Sequence, residues 1–240
     1  MGVLDRLFPV REGCCAVILA AGLSQRMGSD KMTLELGGKP VLAHSLLAFE
    51  RCPDIDEIVV VAREDMIVET AELCREFGIE KAVAVMAGGS SRAESALIGL
   101  TAVRSGIAFA AIHDGARPLV TPELISGTVA AAAEGLAAVP AVPLRDTVKF
   151  VLDSRVRETP DRASLMAVQT PQVFDTDIVK AALTDALDKN LTVTDDCSAV
   201  EALGISVRVV EGDDANIKLT TPLDLVLAEA ILASRGGTTR

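Results

Sequence analysis

With 240 residues and 50% hydrophobic content, the chain is long enough to bury a full core and is expected to form one domain over 1–240. A formal charge of -11 and a pI near 4.7 argue against a broad nucleic-acid or membrane-surface face. No apolar run approaches the roughly 20 residues of a membrane span, and residues 1–13 mix Asp5, Arg6, Arg11 and Glu12 instead of forming a secretory apolar core, so a cytoplasmic protein is expected.

The first strand is expected at 14–20 and runs into Ala20-Ala21-Gly22-Leu23-Ser24-Gln25-Arg26-Met27-Gly28-Ser29-Asp30-Lys31. Small side chains at Ala20, Ala21 and Gly22 let peptide N–H groups come close to a ligand, and Arg26 and Lys31 add positive charge, which together make a triphosphate cradle. Two better-known phosphate loops do not fit. Gly28 is followed by Ser29, Asp30 and Lys31 rather than by the Lys-Ser/Thr of a Walker loop, and Ser24 stands where a dinucleotide fingerprint has its second glycine.

Pro40 suits the first turn of a helix. Short β-branched runs at 55–62, 82–87, 109–113 and 137–142 then alternate with helix-period segments, the pattern of a doubly wound, mostly parallel α/β sheet. Ligands of such sheets sit beyond the carboxyl ends of the strands. After the run 82–87 comes Gly88-Gly89-Ser90-Ser91-Arg92-Ala93-Glu94-Ser95, a turn of amides and hydroxyls suited to a base or ribose, or a simple capped glycine turn. After 109–113 comes His113-Asp114-Gly115-Ala116-Arg117-Pro118, where Asp114 could accept hydroxyls or orient a magnesium-bound water and Arg117 could clamp phosphate. A mutual ion pair of the two is the alternative, and His113 and His44 are expected as hydrogen-bonded core residues.

A helix over 122–134 follows, capped by Thr121. The rhythm breaks at 146–170, where 146–151 and 155–159 alternate in polarity as a two-stranded ribbon carrying Thr147, Lys149, Arg162 and Thr170 beside Arg145. A lone hairpin is marginal in water, so this arm is expected to pack on a partner subunit. Helices at 176–190 and 194–203, a strand at 207–211 and a Thr221-capped helix at 222–234 complete the chain, with Asn216-Ile217-Lys218-Leu219-Thr220 before the last helix and a frayed tail at 236–240. The five cysteines have no metal or redox spacing and are expected reduced and buried. Trp and Tyr are absent, so a base would be recognised by backbone and small side chains.

The opening loop resembles the signature of the nucleotidyltransferases, which join a nucleoside monophosphate to a phosphorylated small molecule. Together with His113-Asp114-Gly115-Ala116-Arg117-Pro118, Arg145-Asp146-Thr147-Val148-Lys149, Gln169-Thr170-Pro171-Gln172, Thr194-Asp195-Asp196 and Asn216-Ile217-Lys218, it resembles one branch, the 2-C-methyl-D-erythritol 4-phosphate cytidylyltransferases of non-mevalonate isoprenoid synthesis. The resemblance, spanning 16–231, implies a Rossmann-like nucleotidyltransferase fold with a β-ribbon dimerisation arm, CTP and a phosphorylated polyol as substrates, and release of pyrophosphate. It implies catalytic roles for Arg26, Lys31 and Lys218, a nucleotide site at Ala20, Ala21, Gly22, Gly89, Ser90 and Ser95, and an acceptor site at Asp114, Arg117, Thr147, Arg162, Thr170 and Lys218. Thr147 and Arg162 would then serve the neighbouring site of a homodimer. Mg2+ is expected mainly through the CTP phosphates, with Asp114 as the candidate protein ligand. Lys31 follows Arg26 sooner than in the family pattern, which keeps Lys39 as an alternative loop lysine. Ribitol 5-phosphate as acceptor, a molybdopterin guanylyltransferase and a non-catalytic nucleotide-binding regulator are the rival functions.

Overall fold

The computed structural model describes residues 11–22 and 32–236; Arg26 and Lys31, with the loop around them, lie outside the described residues. The central strand β1 (Glu12–Leu19) places Cys14, Ala16 and Ile18 in one buried cluster and Cys15, Val17 and Leu19 in another. A strand covered on both faces has no polar alternation to keep, which is why its sequence is a continuous apolar run.

The small hairpin β2 (Glu35–Leu36) and β3 (Lys39–Pro40) precedes helix α1 (Val41–Arg51). Strand β4 (Glu57–Ala62) then lies parallel to β1, and β5 (Ala82–Ala87) lies parallel to β4 beyond it. The chain next returns to the other side of β1 with β6 (Ile107–Asp114), again parallel, so that Leu19 and Asp114 stand side by side at the strand ends. That reversal of winding opens the crevice in which such sheets bind ligands. Further out are β7 (Ala137–Pro143), β10 (Met166–Val168), the antiparallel β11 (Gln172–Asp175) inserted between β6 and β7, and β12 (Arg208–Glu211) parallel to β7, making an eight-stranded sheet.

Helices cover both faces. On one, α1, α2 (Ile67–Glu76) and α4 (Pro122–Gly135) contribute Leu46, Phe49, Cys74 and Ile125 to the core. On the other, α3 (Arg92–Thr101), α5 (Thr176–Asp188) and α6 (Asp196–Ala202) contribute Leu100, Val179, Leu183 and Val200. The last helix, α7 (Pro222–Gly236), packs Ala228 against Leu36, Val41, Leu119 and Leu219. Helix α3 lies so close to the sheet that a Cβ on Gly99 would be 2.4 Å from Val17 Cγ1, a contact no side chain tolerates unmoved.

Several expected boundaries shift. Pro40 ends β3 and stands one residue before α1, not inside it. Helix α6 starts at Asp196 and not at 194, because Asp195 caps it and Ser198, three residues on, completes a reciprocal capping box. Helix α7 runs on through Gly236, beyond the expected frayed boundary. The ribbon is present as β8 (Phe150–Leu152) and β9 (Arg155–Glu158), fully exposed, and its turn residues Asp153 and Ser154 have φ of 50° and 58°, the left-handed pair of a type I′ turn. The excursion is shorter than expected, because 166–168 already pairs with β7 and the N–H of Gln169 extends that pairing to Pro140 O at 2.8 Å.

Candidate active site

The carboxyl ends of β1, β4, β5 and β6 surround a cavity of about 520 Å³ lined on one side by Ala21, Gly22, Gly88, Gly89, Ser90 and Ser95 and on the other by Arg92, Asp114 and Lys218. Gly88 donates its N–H to Ala62 O at 2.8 Å, and Gly89 donates to Ser95 Oγ at 3.1 Å, which in turn donates to Ser91 O at 2.8 Å. Ser91 caps α3, accepting from Glu94 N at 3.1 Å. This turn is packed directly on Ala21: a Cβ on Gly88 would lie 2.4 Å from Ala21 Cβ. Ala20, expected with this group, is buried and donates its N–H to Val61 O at 2.7 Å; it stands behind the cavity wall.

Asp114 is the charged floor. Its Oδ2 is 2.7 Å from Lys218 Nζ and its Oδ1 accepts from Arg92 Nε at 3.3 Å. Burial alone would push this carboxyl up, but Arg92 and Lys218 outweigh it and hold Asp114 below the ordinary carboxylate range. Behind it, the Asp114 N–H donates to Thr170 Oγ1 at 3.1 Å, and Thr170 Oγ1 is 3.0 Å from His113 Nδ1. The carbonyl of Arg117 can only accept, so the neutral His113 ring carries its proton on Nε2 and donates it to Arg117 O at 3.3 Å, which leaves Nδ1 to accept from the Thr170 hydroxyl. Burial drives His113 down to about 3, and the ring stays a neutral core group, as expected; His44 Nε2 pairs with Leu36 O at 2.7 Å, but that ring is half-buried on the wall of another cavity and is not a core group.

The expected residues are thus brought together unequally. Lys218 and Asp114 meet, beside Ala21, Gly22, Gly89, Ser90 and Ser95. Thr170 supports Asp114 from behind instead of lining the cavity. Arg117 is anchored by Nη1 on Asn216 O at 2.7 Å, and its Nε stands 4.0 Å from Asp114 Oδ2, a distant ion pair rather than a clamp. Thr147 and Arg162 are exposed at the base of the arm, away from this cavity, and Arg162 Nη1 donates to Arg145 O at 2.5 Å. Lys39 lines a different cavity with His44 and Arg51. Arg26 and Lys31 lie outside the described residues.

Three groups escaped sequence inspection. Arg63, at the end of β4, lines the cavity and was recoverable from its place directly after an apolar run. Arg92 also lines it, and its Nη1 donates to Asp196 Oδ2 at 2.8 Å, a carboxylate with a side-chain exposure of 1%. Arg92 and Asp196 stand in quoted motifs, yet nothing in the sequence joins them across a separation of 104 residues. Magnesium finds no ready cage here: both Asp114 oxygens face cations, and no cluster of three or more His, Cys, Asp or Glu able to hold a metal occurs among the described residues.

A doubly wound sheet that presents a small-residue turn, serine hydroxyls and a ring of cations at its switch point defines an α/β nucleotidyltransferase. The family model of 2-C-methyl-D-erythritol 4-phosphate cytidylyltransferase, IspD, matches residues 14–234. The chain belongs to that family. The protein of that name from Halalkalibacterium halodurans is 48% identical over 222 residues, covering 91% of this chain and 96% of the relative, and one from Dehalococcoides mccartyi is 45% identical over 225 residues, covering 93% and 97%. The crystal structure of the 4-diphosphocytidyl-2C-methyl-D-erythritol synthase from Anaerococcus prevotii superposes with a TM-score of 0.83 at 32% identity, covering 92% of this chain and 96% of that one. Among the described residues no helix is long and apolar enough to cross a membrane.

Proposed function

We propose that the chain transfers the cytidylyl group of CTP to 2-C-methyl-D-erythritol 4-phosphate, releasing pyrophosphate. The observation that carries this is the floor of the cavity: a carboxylate, Asp114, fixed between Arg92 and Lys218 directly beside the Gly88–Ser95 amide turn. The turn can read cytosine and ribose without aromatic stacking, and Asp114 can accept hydroxyls of a polyol whose phosphate is drawn by the surrounding cations.

The acceptor phosphate is already an anion, so the step needs no general base. Its oxygen attacks the α-phosphorus in line while pyrophosphate leaves, and the enzyme's task is to align the two anions and stabilise the spreading charge. Arg26 and Lys31 are assigned to the triphosphate and Lys218 to the reacting phosphates. Mg2+ is assigned to the nucleotide phosphates rather than to a protein cage, since Asp114 is held by cations. The exposed arm, with Phe150, Val151 and Val156 turned to solvent, supports a homodimer in which Thr147 and Arg162 finish the neighbour's acceptor site. Five buried, unpaired cysteines agree with a cytoplasmic setting.

The test is pyrophosphate release with each of the four nucleoside triphosphates against methylerythritol phosphate and ribitol 5-phosphate. CTP with methylerythritol phosphate is expected as the sole strong pair. A preference for GTP, or for ribitol phosphate, would overturn the assignment.

A further inference from the structure

We propose that Asp196, which does not line the cavity, is a positioning residue that acts through Arg92 to set the acceptor side of the site. The guanidinium of Arg92 stands between two carboxylates that come from opposite ends of the chain's logic: Asp114 at the end of β6, and Asp196 at the start of α6. Nε faces Asp114 at 3.3 Å and Nη1 faces Asp196 at 2.8 Å, so among the described residues Nη2 is the guanidinium nitrogen left to meet a ligand in the cavity. A planar fork held at two points cannot rotate about its last torsion, and a lysine could not be held in this way.

Asp196 is itself placed with more care than a structural ion pair needs. Its N–H donates to Gln172 Oε1 at 3.0 Å, the next N–H, of Cys197, donates to the same oxygen at 3.1 Å, and Gln172 Nε2 donates to Asp195 Oδ2 at 2.8 Å. Strand β11 thereby fixes the first turn of α6, and through it the carboxylate. Asp196 Oδ1 is buried and has no hydrogen-bond partner among the described residues. A carboxylate buried with one bare oxygen costs stability relative to a well-packed apolar side chain, so its retention points to a task at the cavity. That task is orientation: Asp196 holds Arg92, and Arg92 holds Asp114 against Lys218.

This inference rests on the proposed function, since Asp114 is assigned to the polyol phosphate. Asp196→Asn keeps size and shape and removes the charge. It is expected to lower kcat/KM for methylerythritol phosphate about tenfold or more, with KM for CTP nearly unchanged, and to lower the melting temperature, since one partner of a buried pair is removed. In an Arg92→Ala background the same substitution is expected to add no further loss, because the link it acts through is gone. Added guanidinium ion is expected to restore part of the activity of Arg92→Ala, and none to the Arg92→Ala/Asp196→Asn double variant, which lacks the carboxylate that would seat it. Additive losses, equal rescue of both variants, or a loss shared evenly by both substrates would overturn the proposal. Should Asp196→Asn fail to fold, the rescue of Arg92→Ala alone decides: no rescue counts against the anchoring role. A wild-type protein inactive on methylerythritol phosphate would instead refute the functional assignment, and is seen before any variant is made.

Discussion

Lys218 Nζ stands 2.7 Å from Asp114 Oδ2, an ion pair that ties the loop after β12 to the end of β6. The two partners differ in environment, the lysine side chain being 37% exposed and the aspartate 12%. The pair therefore fixes a cation at the mouth of the cavity by means of a carboxylate on its floor, and reorganisation of that cation on substrate binding is reduced in advance.

Replacing Lys218 with Met should slow turnover about 100-fold, the usual effect of removing one preorganised charge at a developing anion. It should also move the acid limb of the pH–rate profile to higher pH. Asp114 is held low by Arg92 and Lys218 against the upward push of burial, so loss of one cation lets it take a proton sooner. Steady-state pyrophosphate release across pH checks both.

The buried His113 gives the fold an acid-sensitive point. Its value is driven to about 3 by burial, against roughly 6.5 for an exposed imidazole, so over that interval the unfolded chain takes up a proton that the folded chain does not. Stability should decline as pH falls through the window and be fully present above it. Urea midpoints of His113→Gln should be lower than wild type at neutral pH, for loss of the bonds to Thr170 and Arg117, yet decline less steeply toward pH 4.

Thr170→Val removes a hydroxyl that serves the Asp114 amide and His113 Nδ1 at once. Two buried polar groups are left unmatched, a cost of about 1–3 kcal/mol each when not relieved by water. Chemical denaturation should show the loss, with kcat falling because the floor of the site is no longer braced.

A methyl group at Gly88 would collide with Ala21, so Gly88→Ala should push apart the two walls assigned to the nucleotide under the proposed function. KM for CTP should rise about tenfold or more, with the acceptor KM little altered and the circular-dichroism spectrum unchanged. An unaltered CTP KM would show that the two walls do not grip the nucleotide together.

The proposed homodimer with shared sites makes a prediction of its own. Lys218→Ala and Arg162→Ala should each be nearly inactive alone, whereas mixing them under conditions that exchange subunits should restore about a quarter of wild-type activity, because half of the dimers then carry one intact site. No recovery on mixing would place Arg162 in the site of its own chain.

Much of the framework was legible from sequence because burial dictated it. The runs 14–19 in β1 and 58–62 in β4 are apolar at every inward position on both faces, and Thr121 before Pro122 marks the start of α4 by chemistry that is local to the chain. The small hairpin of β2 and β3 and the return strands β10 and β11 were not legible. Two or three residues are too few for a period, and Gln172 is a buried polar group satisfied only by tertiary partners. The strand-end rule located Asp114 and the Gly88–Ser95 turn. It could not tell that Thr170 braces from behind, nor that Arg92 reaches across to Asp196, since both depend on which elements the fold brings into contact.

All five cysteines are buried, and none lies outside the described residues. A thiol placed by Ser154→Cys at the tip of the exposed β8–β9 turn would accordingly be the one group that a thiol-reactive probe can reach in the native protein. The molecule comes ready for single-site labelling, and a spin label or fluorophore at that tip would act as a molecular ruler between the two arms of the proposed homodimer.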